Sequence, residues 1–478
     1  MLMSKKSINE KKYKDRLQEI REKLGENYDA IFREILTDQG PIQIIFLDSI
    51  SDSTYISEYI ISPIVAQEKI SHDIEIIKNK VLTANNVGDV KDMDAILLHI
   101  LSGDIIVLFS FIEAVIYCSA RQYSSRAIEE PPSEVVIKGP REGLTENITE
   151  NMSLIRKKIR NRDLKFERII IGEESNTTVL LVYIEGKAPQ HLVAYIKRRL
   201  KNLNNRFLFE VNFIEEELKC KKTPFDTIGY TEKPDVVASK ISEGRVAILA
   251  NSSPFALTAP HFFLEEIHMA DDYYLNKYPQ NYFRIIRWVA LLISLLLPGL
   301  YLALTTYHFS LIPSIFVFRL AVLRAGVPFP TFIEVVIMMF FFQLLREAGI
   351  RLPQAIGPAI SIVGALILGD AAIRSGMASE ITVLVVALSA ISLFLIPKLY
   401  GAVSIWTNII MIFSALLGLP GFFIGFIVFC THIASLDSCD YPYLYPLGTL
   451  KNLNFKDTFI RDDLKKISKN IVKGDEQE

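Results

Sequence analysis

Between Trp288 and Leu436 the chain runs for 149 residues with only ten Asp, Glu, Lys or Arg side chains, whereas the other 329 residues carry 96. A single water-soluble globule does not segregate charge in this way, because its surface must be solvated on every side. The pattern divides the 478 residues into a charged first part, an apolar part and a short polar tail. The apolar part is long enough for several bilayer crossings at about 20 residues each. Over the whole chain 52 basic residues balance 54 acidic ones. Nucleic-acid binders normally carry a basic excess, so no nucleic-acid partner is expected.

The opening MLMSKKSINEKKYKDRLQEI is densely charged and lacks the apolar core of a secretory signal. Nothing before Trp288 is long and apolar enough to span a bilayer, so the first part is expected on the cytoplasmic side. Cys118, Cys220, Cys430 and Cys439 form no Cys-x-x-Cys pair, which speaks against a zinc site or a disulfide framework.

Residues 1–35 mix both charge signs at helical spacing, with Leu17, Ile20 and Leu24 on one face and Ile31 and Ile35 after them. This predicts an amphipathic helix. Residues 36–120 read as a first α/β subdomain, with strands at 42–49, DIIVLFS and EAVIYCS. Helices are expected at Tyr55–Ala66, where Pro63 bends or ends the helix, and at Asp92–Ser102, capped by Asp92 and closed by Gly103. Residues 121–165 read as a linker and a helix. Residues 166–287 read as a second α/β subdomain, with strands at 166–172, 177–186, 207–214 and within 245–260. Two Asn-x-Ser/Thr triplets, at Asn147 and Asn151, are taken as chance. Gly139–Gly143 lacks the spacing of a phosphate-binding loop and is read as a turn.

The membrane domain is expected to span 288–436, followed by a cytoplasmic tail at 437–478. Trp288–Thr305 reads as a first span, interrupted by Pro298-Gly299, and Arg284 and Arg287 place its start in the cytoplasm. Residues 311–326 carry Arg319 and Arg324 and read as an interfacial or re-entrant helix. Residues 331–346, 355–373 and 381–396 follow as spans, and 401–436 as a two-helix hairpin broken at Gly418–Gly421. Six membrane-inserted helices return the basic tail to the cytoplasm. The expected fold class is thus an α/β cytoplasmic domain of two subdomains followed by a polytopic α-helical membrane domain.

Glu334, Asp370 and Glu380 are ionisable residues in apolar sequence and are candidate intramembrane polar sites. Gly357, Ser361, Ala365 and Gly369 recur every four residues and form a stripe of small side chains, suited to close helix packing or a pore wall. No hydrolase, kinase or metalloprotease signature occurs. Neither an enzyme, a metal site nor a cofactor is expected.

Several motifs resemble the A subunit of Ger-type spore germinant receptors. They are Glu130-Pro131-Pro132-Ser133-Glu134 through Val136–Gly143, then Pro298-Gly299-Leu300-Tyr301, then Gly326–Pro330 with Glu334 after it. Arg346–Pro353 and the segment from Ala355-Ile356-Gly357-Pro358-Ala359 through Gly369-Asp370-Ala371-Ala372 are similar as well. Lys138 stands where the family is expected to favour Arg, and the charge is kept. The resemblance covers about residues 36–450. It implies a multi-pass subunit of a receptor in the inner membrane of a bacterial spore, partnered by a transporter-like B subunit and a lipoprotein C subunit. It further implies that small nutrients trigger the receptor, that the A subunit forms a homo-oligomeric channel, and that monovalent cations are released. A secondary transporter is the alternative, motivated by the two broken spans.

Overall fold

The computed structural model describes residues 2–122, 134, 136–203, 205–352, 357–447 and 457–467, with the side chains of 2–8 and 357–363 outside the description. Glu130–Ser133 of the first motif and Ala355 and Ile356 of the last lie outside the described residues. The chain divides into two compact units. One comprises Met1–Lys219 and Ile228–Pro260, and the other Cys220–Thr227 and His261–Ile467.

The first unit begins with α1 (Leu2–Leu24), whose Ile20 and Leu24 are fully buried. The helix ends there. Ile31 and Ile35 do not continue it but lie in β1 (Ala30–Thr37), which pairs with β2 (Gly40–Leu47) through a two-residue turn. Gly40 sits at φ +138°, and a Cβ there would meet Ser110 Oγ at 2.3 Å, so the hairpin requires glycine. The next helical stretch, Ser53–Val65, contains one wide turn at Ser57–Ile61, with the N–H of Ser62 reaching back to Ser57 O. Pro63 follows at once, so the turn accommodates it without ending the helix. The module is completed by β3 (Val87–Val90), α2 (Met93–Leu101), β4 (Asp104–Phe109) and β5 (Val115–Ser119). The Asp92 carboxylate caps α2 by accepting from Ala95 N at 3.2 Å.

After α3 (Ile148–Lys158) come β6 (Leu164–Ile171), β7 (Thr177–Ile184), α4 (Gln190–Lys201), α5 (Asn212–Leu218), β8 (Gly229–Thr231), α6 (Pro234–Ser242), β9 (Val246–Ala250) and β10 (Ala256–Ala259). The two five-stranded sheets have the orders β1-β2-β4-β5-β3 and β6-β7-β9-β10-β8. Numbered from its own first strand, each sheet reads 1-2-4-5-3, and every pairing is antiparallel. The unit is one topology used twice. The expected strand at 207–214 is not formed. Phe207 and Phe209 alternate as a strand would, but Val211, Ile214 and Leu218 bury one helical face and draw Asn212–Leu218 into α5.

The modules are joined by polar bonds. Tyr28 N donates to Phe166 O, and Phe166 N to Asn27 Oδ1, both at 3.0 Å, on the free edge of β6. Asp29 receives two bonds from Arg156 at 2.7 Å with almost no exposure on either side. Asn147 caps α3, and Asn151 is buried against Thr145, so both Asn-x-Ser/Thr triplets have structural roles. The Gly139–Gly143 loop acts as a turn, with Pro140 O accepting from buried Lys233 and Glu142 paired to Lys157 and Lys158.

The second unit is built on α7 (Lys277–Thr306), thirty residues and about 45 Å long at 1.5 Å per residue. Then come α8 (Ser314–Arg324), α9 (Thr331–Arg351), α10 (Gly357–Arg374), α11 (Glu380–Phe394), α12 (Tyr400–Leu417) and α13 (Leu419–Ala434). Six spans were expected. Among the described residues two helices are both long and apolar enough to cross a membrane, Lys277–Thr306 and Pro397–Leu417. Helices α11 and α13 are apolar but shorter, and α9 carries Glu334, Arg346, Glu347 and Arg351.

Candidate functional site in the helical unit

Helix α7 passes through Pro298, which has no N–H to give the carbonyl of Ser294 one turn earlier. That carbonyl instead accepts from Ser389 Oγ of α11 at 3.0 Å and Thr407 Oγ1 of α12 at 3.1 Å. In an apolar surrounding an unserved carbonyl would cost several kcal/mol, of order 2–7. Gly299 follows, and a Cβ there would meet Ile410 Cγ2 at 2.9 Å and Ser414 Oγ at 3.1 Å. The Pro-Gly pair therefore lets α12 approach α7, while the Ser389 hydroxyl replaces the lost donor and Thr407 Oγ1 shares its proton between Ser294 O and its own Val403 O at 2.8 Å.

Glu334, in the first turn of α9, is fully buried. Its Oε1 accepts from Arg324 Nη2 of α8 at 3.1 Å. Its Oε2 accepts from Ser379 N at 3.1 Å and Thr382 Oγ1 at 2.9 Å, at the start of α11. The Tyr301 hydroxyl of α7 lies 3.1 Å from Thr382 Oγ1. One carboxylate thus draws α8, α9 and α11 together, with α7 one bond away. Helix α8 has no buried residue of its own, so the Arg324 bond is a main attachment.

The other two acidic candidates do not join this network. Asp370 forms an exposed pair with Arg374 at 2.9 Å, one turn along α10, and Glu380 is exposed in the first turn of α11. Of the small-residue stripe, Gly369 is buried beside α11, where a Cβ would meet Val383 Cγ1 at 3.8 Å, and Ala365 is half-buried. Gly357 begins α10, and its side of the helix and that of Ser361 lie outside the described side chains. Among the described residues of α10, the tightest approach is one the stripe misses. A Cβ on Gly364 would meet Leu345 Cδ2 of α9 at 2.8 Å.

Two further polar knots were not foreseen. Arg284 and Arg287, read as topological cations, are buried and bound to Asp272, with Asp457 2.8 Å from Arg284. Their charges serve the fold, so they carry less of an orientation signal than their number suggests. Their spacing of three on a helix, with a carboxylate shortly upstream, was the available hint. His261 is buried between Glu265 at 3.0 Å and Glu266 at 2.5 Å. Burial disfavours the charged imidazole, but the two carboxylates outweigh it and hold the His261 pKa above its ordinary value. His261 N donates to Ser438 Oγ, which donates to Thr227 O, so the knot fastens three distant segments.

No group of three or more His, Cys, Asp or Glu side chains among the described residues could hold a metal ion. The geometry offers a buried, fully bonded carboxylate and a re-served helix carbonyl, and no nucleophile–base pair is evident in either.

Residues 18–471 match the family described as Bacillus/Clostridium GerA spore germination protein. Similar relatives include "Spore germination protein KA" of Bacillus subtilis, 35% identical over 93% of this chain and 83% of the relative. "Spore germination protein GerLA" of Bacillus cereus is 32% identical over 93% and 92%. "Spore germination protein A1" of Bacillus subtilis is 31% identical over 96% and 95%. The crystal structure of the N-terminal domain of the A subunit of the Bacillus megaterium spore germinant receptor GerK3 aligns with 52% of this chain and 94% of its own, at 28% identity and a TM-score of 0.40. With a family match over nearly its whole length, the chain belongs to the GerA family of spore germination proteins.

Proposed function

We propose that this chain is the A subunit of a nutrient germinant receptor, acting in spore germination without catalysis of its own. In this reading the helical unit is a polytopic domain in the spore inner membrane and the α/β unit lies on the cytoplasmic side. The subunit assembles with copies of itself into a channel for monovalent cations, alongside a transporter-like B subunit and a lipoprotein C subunit. Family membership supports the receptor role.

The observation that carries the membrane reading is the contrast within the helical unit. Phe318, Leu366, Ile391, Leu416 and Ile427 are outwardly exposed, while Glu334, Thr382, Ser389 and Thr407 are buried. Apolar outside and polar inside is the arrangement a bilayer demands. Helices of 15 and 16 residues, such as α11 and α13, are shorter than a full span and fit partly inserted or tilted elements. The small-residue face of α10, including Gly357, Ser361, Ala365 and Gly369, is assigned to the helix contact or pore wall.

The test is cation flux in liposomes carrying the full receptor. The expected outcome is potassium efflux on addition of the cognate nutrient. Flux equal to that of empty liposomes overturns the channel reading. The served carbonyl at Ser294, beside an interrupted helix, favours a secondary transporter as the second reading. Solute counterflow by this subunit alone would select it.

A further inference from the structure

Ten charged side chains lie between Trp288 and Leu436, and most of them are engaged within the chain. Arg324 meets Glu334, Arg351 meets Glu347 and Arg374 meets Asp370. Arg346 lies against the Tyr400 ring, and Lys398 has a contact of its own. Arg319 and Glu380 are left, both exposed and, among the described residues, both without a partner. Arg319 lies in α8, and its neighbours three and four residues away, Ile315, Phe316 and Val322, are exposed with it. Glu380 opens α11, and Leu384, Leu388 and Ile391 continue the same exposed face. The Glu334 carboxylate ties the two elements together, through Arg324 of α8 and through Ser379 N beside Glu380. Two adjoining helices therefore carry one free cation and one free anion, each set in exposed apolar surface.

In apolar surroundings an unpaired charge is costly, and such residues pair with an opposite charge. Lipid chains offer none. A lipid phosphate or an acidic partner would serve Arg319 and repel Glu380, and a basic partner would do the reverse. A second copy of this chain carries both signs in equal number, so the surface is complementary to itself. We propose that these faces of α8 and α11 are a contact between copies of the chain in the membrane, with Arg319 of one copy paired to Glu380 of the next. The ion pair sets the register, and the apolar side chains around it supply the packing. The contact rests on the reading of the helical unit as a membrane domain that assembles with its own copies, and it does not depend on ion conduction.

The experiment is co-purification of two differently tagged full-length chains from detergent-solubilised membranes at equal expression. Wild-type copies should recover one another. Arg319→Glu sets two carboxylates against each other and Glu380→Arg two cations, so each variant should recover its own kind several-fold less. An Arg319→Glu chain mixed with a Glu380→Arg chain should recover it at the wild-type level, because every contact between them is again of opposite sign. If a reversal does not fold, Arg319→Gln and Glu380→Gln decide: each should weaken recovery, and the double variant should weaken it no further than either alone. Reversals that recover their own kind like the wild type, or losses that mixing does not restore, overturn the contact. A loss confined to Arg319→Glu assigns that side chain to lipid headgroups and overturns it equally. Wild-type copies that do not recover one another overturn the assembly reading as well, whereas recovery that follows the charge pattern without cation flux supports the contact and overturns only the channel.

Discussion

The α/β unit and the helical unit both bury charge, but in different settings. In the first, Arg156 and Asp29 meet between two sheets and form a bidentate pair, with Ser49 completing the carboxylate's bonds. In the second, Glu334 is served by one arginine from α8 and by one backbone N–H and one hydroxyl from the start of α11. The first arrangement joins two copies of one topology whose sheets are already complete. The second supplies cohesion to helices whose outward faces are themselves apolar. Where the exterior is no more polar than the interior, burial of apolar area gives little preference for one packing, and directed polar bonds must choose it.

That comparison can be broken most directly at its two carboxylates. Asp29→Ala leaves Arg156 buried without a counter-charge and should cost about 3–5 kcal/mol. Glu334→Ala does the same to Arg324 and Ser379 N, although Arg324 is partly exposed and can turn outward, so the loss should be smaller. Denaturant unfolding of the full chain measures both. Equal losses would mean that the helical unit depends on its carboxylate as heavily as the α/β unit does.

The next effect concerns the carbonyl freed by Pro298. Ser389→Ala with Thr407→Val should cost about 1–3 kcal/mol, because it strands a buried acceptor. Either single change should cost less than half of that, since one hydroxyl remains. Ala365→Leu tests the small-residue face at a similar scale. Overpacking of a helix contact costs about 1–3 kcal/mol, whereas Leu366, already exposed, should tolerate another large apolar residue. Assembly and germination response at equal protein level are the readouts. Identical behaviour at 365 and 366 would place the stripe against lipid.

A pH slope sharpens the comparison further. The His261 pKa is raised in the folded chain, so its stabilisation is fully present below the unfolded value of about 6.5. It is lost as pH rises through the folded value. The stability gap between wild type and His261→Gln should therefore be wider at mildly acidic than at alkaline pH. The smallest expected effect is Asp370→Asn. It removes an exposed pair one turn apart, worth at most about 1 kcal/mol.

The elements themselves were largely legible. Asp92 and Gly103 delimited α2, and the break at Gly418–Gly421 separated α12 from α13. The duplicated topology was not legible, because β3 and β8 are four and three residues long and carry no strong period. The 207–214 segment was misread because its alternating phenylalanines outweighed the helical spacing of Val211, Ile214 and Leu218. The sequence set Glu334 only slightly ahead of Asp370 and Glu380, and it read Arg284 and Arg287 as cations that place the start of a span in the cytoplasm.

What the sequence determined by itself is the division into a charged part and an apolar part, and the helices within the latter. Charge density and periodicity are properties of neighbours along the chain, and a window of residues records them. What only the tertiary structure decided is which polar groups are buried and what serves them. Glu334 meets Ser379 and Thr382 from 45 and 48 residues away, and Ser294 meets Thr407 from 113. Asp370, in similarly apolar sequence, meets, among the described residues, only the arginine one turn along its own helix. No local pattern separates these cases, because the cost of burying a charge is set by the partners that packing brings to it.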